Sequence, residues 1–289
     1  MVKWRGRRQS TNVGYSSSGR RGAGIPIPLG RGGMSIGTIV IIGVIALLFG
    51  VNPLELLGGG GGTVQPSSAP SQQAQADPCS ISETNEFVCV MLADTEEVWE
   101  EEFAALNADY PEPTLYFYDG YGQSGCGAAQ AAIGPFYCPT DNGIYLDTSF
   151  FDQLAQMGGE GDFAAAYVVA HEVGHHVQTV TGAAEEIRRQ QSGMGQSEGN
   201  ALQVRMELQA DCYAGIFANE NSEYLEEGDI QEAMAAANAI GDDTLQRQAG
   251  RRVVPDSFTH GTSAQRMDWF MRGFRSGDPA DCDTFSGPI

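Results

Sequence analysis

Apolar residues gather in one helical register after another along the second half of this chain, and alternate with polar ones only briefly before it. Phe163–Ala170 is almost wholly apolar and runs on to Val180, which predicts a buried helix over Phe163–Val180, opened by Asp162 as a cap and closed near Gly182. Leu202–Asn219 reads as a second mostly apolar helix, with further helices at Ile230–Ile240 and Ala264–Phe274. Earlier, Val98, Phe103 and Leu106 share one face of a helix over Thr95–Ala108, with Asp94 and Glu97 spaced as a capping box. Strand patterns follow at Thr114–Tyr118, Ile133–Cys138 and Gly143–Asp147. The last two flank Pro139-Thr140-Asp141-Asn142, a turn sequence that predicts a hairpin. The class is α+β, with a small antiparallel sheet beside a helical body.

A different pattern precedes the folded part. Met34–Val51 has no charged residue and is long enough to cross a bilayer core of about 30 Å. With Asn52-Pro53-Leu54-Glu55-Leu56-Leu57 after it, it reads as a retained membrane anchor over 34–57 rather than a cleaved signal. Residues 1–33, rich in Gly, Arg and Ser, read as a disordered basic segment, and 58–77 as a flexible linker. The folded domain then spans 78–289. Basic residues ahead of the apolar run place the N-terminus in the cytoplasm. The domain is expected on the other side, single-pass, in the periplasm or outside the cell.

Charge sharpens the division. The net charge is -21, yet no acid occurs before Glu55, so the body is strongly acidic. Such a surface repels phosphates and excludes nucleic acid as a partner. The six cysteines all lie beyond the apolar run, and an even number in an exported domain reads as disulfides. Of the connectivities open to six cysteines, Cys79–Cys89 and Cys126–Cys138 close natural local loops, which leaves Cys212 with Cys282.

Candidate chemistry concentrates on the buried helix. Three of the four histidines are His171, His175 and His176. His171 and His175 are four apart and share a face, so both imidazoles can reach one metal ion, while Glu172 can reach a water beside it. Two histidines on a buried helix need partners, because an unpaired buried polar group costs several kcal/mol. Glu207 and Asp211, also four apart, sit on an otherwise apolar stretch of the next helix. Glu207 is suited to be the third ligand, and Asp211 to accept the outer N–H of a ligating histidine. The bland alternative for this pair is a solvated acidic face. His260 is either an oxyanion donor or a loop histidine, Tyr213 is a weaker donor candidate and more naturally core, and His176 points off the ligand face. Gly174, about 1 kcal/mol less favourable than Ala inside a helix, suggests a neighbour approaching closely there. The strand at 143–147 is either an edge for an extended peptide or an ordinary interior strand.

His171-Glu172-x-x-His175 followed by Glu207-x-x-x-Asp211 resembles the gluzincin arrangement of thermolysin-like peptidases. More closely, the chain resembles the bacterial neutral zinc metallopeptidase family. The resemblance is carried by His171-Glu-Val-Gly-His-His-Val-Gln178, Glu207-Leu-Gln-Ala-Asp-Cys-Tyr-Ala-Gly215, Gly134-Pro-Phe-Tyr-Cys-Pro139, His260-Gly-Thr-Ser-Ala-Gln-Arg266 and the start Trp4-Arg-Gly-Arg-Arg8. It implies a membrane-anchored, zincin-like peptidase that binds zinc through His171, His175 and Glu207 and cleaves a peptide or protein substrate. Glu172 would be its general base, with His260 in the place where thermolysin-like enzymes carry an oxyanion donor. A catalytically idle, zinc-stabilised envelope protein that binds a partner is the alternative.

Overall fold

The computed structural model describes residues 1–16 and 77–289. The anchor expected at 34–57 lies outside the described residues, as do residues 17–33 and nearly all of the expected linker. No helix among the described residues is long and apolar enough to cross a membrane.

The elements run β1 (Val13–Tyr15), α1 (Glu83–Ala105), β2 (Thr114–Phe117), β3 (Tyr121–Ser124), β4 (Gly127–Gln130), β5 (Phe136–Cys138), β6 (Gly143–Leu146), α2 (Ser149–Gln156), α3 (Asp162–Val180), α4 (Ala183–Gln191), α5 (Gln196–Glu220), α6 (Asp229–Ala239), α7 (Asp242–Gln248) and α8 (Ser263–Ser276). The class is α+β and mostly helical. α1 begins at Glu83, well before Thr95, because Ser82 caps it through a bond from the Asn85 backbone N–H at 3.1 Å. Asp94 is no cap: it lies buried in mid-helix. Its neighbours Phe87–Ala93 are apolar on every face, so the usual one-sided stripe that marks a helix is missing there. Asp162 is the first residue of α3, and Gly161 precedes it as the cap position. α5 starts at Gln196, since its first turns are polar and carry no apolar rhythm.

Two expectations about the sheet need correction. The four-stranded sheet has the order β1-β2-β6-β5, with β1, β2 and β6 parallel and only β5 antiparallel, so it is mixed. The β5–β6 hairpin forms as expected. β6 is interior and all four of its residues are buried, so the edge strand on that side is β5. Nor do residues 1–16 stand apart as a disordered segment: β1 pairs in register with β2, and Val2 and Trp4 are buried. β3 and β4 form a separate two-stranded hairpin.

The helical body is built on α5. It packs against α3 on one side and α8 on another, and α6 closes on both α3 and α8. Glycines set these distances. A Cβ on Gly174 of α3 would stand 3.0 Å from the Ala210 Cα of α5, so the two helices meet almost backbone to backbone. That is the close approach Gly174 suggested. α8 is nearer still: a Cβ on Gly273 would lie 1.9 Å from the Cys212 carbonyl oxygen, and one on Gly215 would lie 2.0 Å from that of Phe270. Disulfides join Cys79–Cys89, Cys126–Cys138 and Cys212–Cys282. The last of these ties α5 to the chain's end across 70 residues of sequence.

These spacings order two substitutions. Gly174→Ala requires a shift of a few tenths of an ångström and should cost about 1–3 kcal/mol, the range for overpacking. Gly273→Ala meets a carbonyl that cannot yield without moving a helix, and should melt far lower or fail to fold. Thermal unfolding of the two variants checks the order; equal melting temperatures would contradict the packing.

Candidate metal centre

α3 and α5 bring three donors together. The His171 Nε2 is 3.2 Å and the His175 Nε2 3.4 Å from the Glu207 Oε2, and the three candidate ligand atoms all lie within 4.8 Å of one another. One helical turn separates the histidines on α3, and the Gly174–Ala210 contact carries Glu207 to them. The site is nearly closed to solvent, with His171 and Glu207 buried and His175 half-buried.

Both histidines are oriented through their other nitrogen. The His171 Nδ1 is 2.8 Å from the Asp211 Oδ1, and the His175 Nδ1 is 2.9 Å from the Gln178 Oε1. These contacts place a proton on each Nδ1 and turn each Nε2 toward Glu207. Asp211 is fully buried and accepts three further bonds: from the Tyr167 hydroxyl at 2.5 Å, and from the Arg266 Nε and Nη2, each at 2.9 Å. Burial opposes the Asp211 charge, but Arg266 and His171 outweigh it and pull its pKa down to about 2. The Gln178 amide is held in turn by the Met206 carbonyl at 2.7 Å and the Gln209 Oε1 at 3.1 Å.

Residue types and local spacing assign no role to Arg266, Tyr167, Gln178 or Asp242. A charged residue at the register of the apolar Trp269–Phe270 face of α8 was the available signal for Arg266. Asp242, the first residue of α7, accepts backbone N–H bonds from Thr259, His260 and Gly261 on its Oδ2. Its Oδ1 stands 3.6 Å from the His260 Nδ1. Desolvation works against a charged His260, yet Glu207 and Asp242 prevail and raise its pKa. His260 and Glu172 both line the cleft that contains the three donors.

Two other candidates fall outside the centre. His176 is fully buried between Tyr110 and Tyr137; its Nε2 donates to the Pro111 carbonyl at 2.5 Å and its Nδ1 accepts from the Tyr137 hydroxyl at 3.1 Å. Tyr213 packs edge-on against Trp99 in the core. Among the described residues a second carboxylate group, Asp162, Asp229 and Glu232, lies at the start of α3, where the Met1 amino group stands 3.3 Å from Asp229.

The cleft has a volume of about 820 Å³, large enough for several residues of a peptide. Phe150, Met157, Ile187, Ile240 and Leu245 give it apolar walls, and the edge strand β5 contributes Phe136 and Tyr137.

Comparison with known proteins gives the chain a family. Residues 2–285 match the model of a family described as "putative neutral zinc metallopeptidase". The chain belongs to this family. Its relatives include the uncharacterized protein YpfJ of Escherichia coli K12, 46% identical over 296 residues and the whole of both chains. An uncharacterized protein of Mycobacterium bovis is 40% identical over 259 residues, covering 83% of this chain and 85% of its own. No solved structure matches. The family's description names zinc, and His171, His175 and Glu207 form a group that could hold a metal ion.

The donors can hold a proton in place of an ion. In the metal-free site burial works against a charged His175, but Glu207 and Glu172 overcome it and raise its pKa from 6.5 to about 9. Because the folded value is the higher one, this proton stabilises the metal-free protein fully below pH 6.5, and the contribution is lost as pH rises to about 9. Zinc must displace the same proton, so apparent zinc affinity should climb between pH 6.5 and 9, by up to about tenfold per pH unit for one proton. Zinc titrations of the chelator-treated protein at pH 6, 7.5 and 9 check this; a flat affinity would contradict it.

Proposed function

We propose that the domain hydrolyses peptide bonds as a zinc-dependent endopeptidase. The observation that carries this reading is the convergence of two imidazoles and one carboxylate in a cleft that Glu172 also lines. The set fits zinc: two nitrogens and one oxygen, each imidazole oriented by a second bond, and three protein donors rather than the four of a purely structural site. Zinc, when bound, supplies Lewis acidity that polarises a carbonyl and eases ionisation of a water.

The protein's own residues then divide the work. The Glu172 carboxylate takes the proton from the water as its oxygen attacks the scissile carbonyl carbon. When the C–N bond breaks, Glu172 returns that proton to the departing nitrogen, so the group ends as it began. His260, held by Asp242, donates a hydrogen bond to the oxyanion of the tetrahedral state. The edge of β5, unpaired among the described residues, offers backbone groups to an extended substrate, and the apolar walls favour large apolar side chains beside the scissile bond. Of the two readings of the strand at 143–147, the interior one holds, and β5 is the edge beside the cleft. The substrate is a peptide or protein, and the acidic surface gives nucleic acid no foothold. Three disulfides support an oxidising compartment, periplasmic or extracellular.

Glu172→Gln tests the reading. Zinc content should be unchanged while cleavage of an unfolded protein falls by about 10²–10⁴-fold. Glu207→Ala should instead lower zinc content. A wild-type protein that holds zinc and cleaves no peptide would favour the idle, partner-binding alternative.

A further inference from the structure

Two carboxylates buried in α1 find their counter-charges in a distant part of the chain. Asp94 and Glu96 are 3% and 0% exposed. The Arg7 Nη2 is 2.9 Å from the Asp94 Oδ1, and the Arg8 Nη1 is 3.0 Å from the Glu96 Oε2. Arg7 also lies with its guanidinium carbon 3.4 Å from the ring centre of Tyr224, and Arg8 donates to the Ala93 carbonyl at 2.7 Å. The Ser10 hydroxyl donates to the Glu96 Oε1 at 2.5 Å, and its backbone N–H bonds the Cys89 carbonyl at 2.9 Å. Trp4 packs edge-on against Phe87, with ring centroids 5.6 Å apart. The Lys3 N–H bonds the Tyr224 carbonyl, joining the segment to the turn that follows α5.

The segment then becomes sheet. Val13–Tyr15 runs parallel to β2 opposite Leu115–Phe117. A Cβ on Gly14 would come 2.9 Å from the Tyr116 ring, so the fit there requires glycine. The Ser16 hydroxyl closes the arm onto β3, donating to the Gln123 carbonyl and accepting the Gln123 N–H, each at 2.8 Å. Breaking a buried ion pair by removing one partner is strongly destabilising, because it leaves an uncompensated charge. Without the arm, α1 would keep two such charges and the sheet would lose a strand. A hydrogen-bonded sheet of this kind cannot be shared across a bilayer.

We infer that residues 1–16 are an integral arm of the cysteine-bearing domain and lie with it on the same side of any membrane the protein meets. The arginines then neutralise acids of the domain instead of holding the N-terminus in the cytoplasm. Arg5 pairs with Glu83, Arg7 with Asp94, and Arg8 with Glu96 and Glu97. A count of basic residues alone treats these as free charge. The chain between residues 16 and 77 must begin and end in one compartment, which excludes a single crossing between the arm and the domain. This inference is independent of the peptidase reading.

The test uses the full-length chain in cells. All six native cysteines are paired, so a cysteine introduced at exposed Lys3 or exposed Glu223 is a free thiol. Lys3→Cys and Glu223→Cys should react with a membrane-impermeant maleimide under the same condition, both in intact spheroplasts or both only after permeabilisation. Labelling of one without permeabilisation and of the other only with it would overturn the inference. As a second readout, Arg7→Ala with Arg8→Ala should lower the melting temperature of the full chain by more than about 5 °C. An unchanged melting temperature would overturn it as well. Neither readout involves peptide cleavage.

Discussion

The architecture of the centre depends on one buried carboxylate. Asp211 has no access to solvent, and its charge is acceptable only because Arg266 meets it through two nitrogens while Tyr167 and His171 complete its bonds. These four residues belong to α5, α8 and α3, so one charge holds three helices in register. The consequence for chemistry is direct. An ionised Asp211 fixes His171 with a proton on Nδ1 and its Nε2 toward Glu207. Glu207 lies one turn before Asp211 on α5, so the helix that orients one ligand also delivers another.

Close packing makes this arrangement stiff. Gly174 admits the α5 backbone to α3, and Gly215 and Gly273 admit α8 to α5. Helices this near leave no slack for the donors to spread, and a metal centre benefits because donor positions are set before the ion arrives. The Cys212–Cys282 bridge starts from the residue next to Asp211, so the tail it anchors braces the same turn of α5. The Gln209 side chain donates to the Cys282 carbonyl and accepts from Gln178, which holds His175. Both ligating histidines are therefore supported from α5, one by a charge and one by an amide chain.

Much of this was legible from residue types at helical spacing. His171, His175, Glu207 and Asp211 are each four apart within a helix, and local periodicity places such pairs on one face without knowledge of the fold. The three disulfides were also readable, because two close short loops and the third is what remains. Long-range partners were not legible. Arg266 is 55 residues from Asp211 and Asp242 is 18 from His260; no local pattern links them. The sequence marks α1 only from Thr95, because a helix buried on all faces loses its amphipathic rhythm, and α4 and α7 are short and polar. The strand at 143–147 and its hairpin with β5 are legible, but whether it is edge or interior depends on β2, which pairs from elsewhere in the sequence.

The N-terminal arm shows the same limit with a larger consequence. Composition made residues 1–16 look like an unstructured basic leader, since glycine, arginine and serine bury little on their own. What the composition omits is that α1 carries acids where a buried helix should be apolar. Asp94 illustrates the tension: burial raises its pKa to about 7 even with Arg7 beside it, so its charge is costly wherever that partner is missing. A buried acid in a run such as Phe87–Ala93 followed by Asp94 implies a cation from elsewhere, and the basic residues nearest in the described structure are Arg7 and Arg8. Charges that look surplus in one segment and misplaced in another are best read together, as two halves of a single packing requirement.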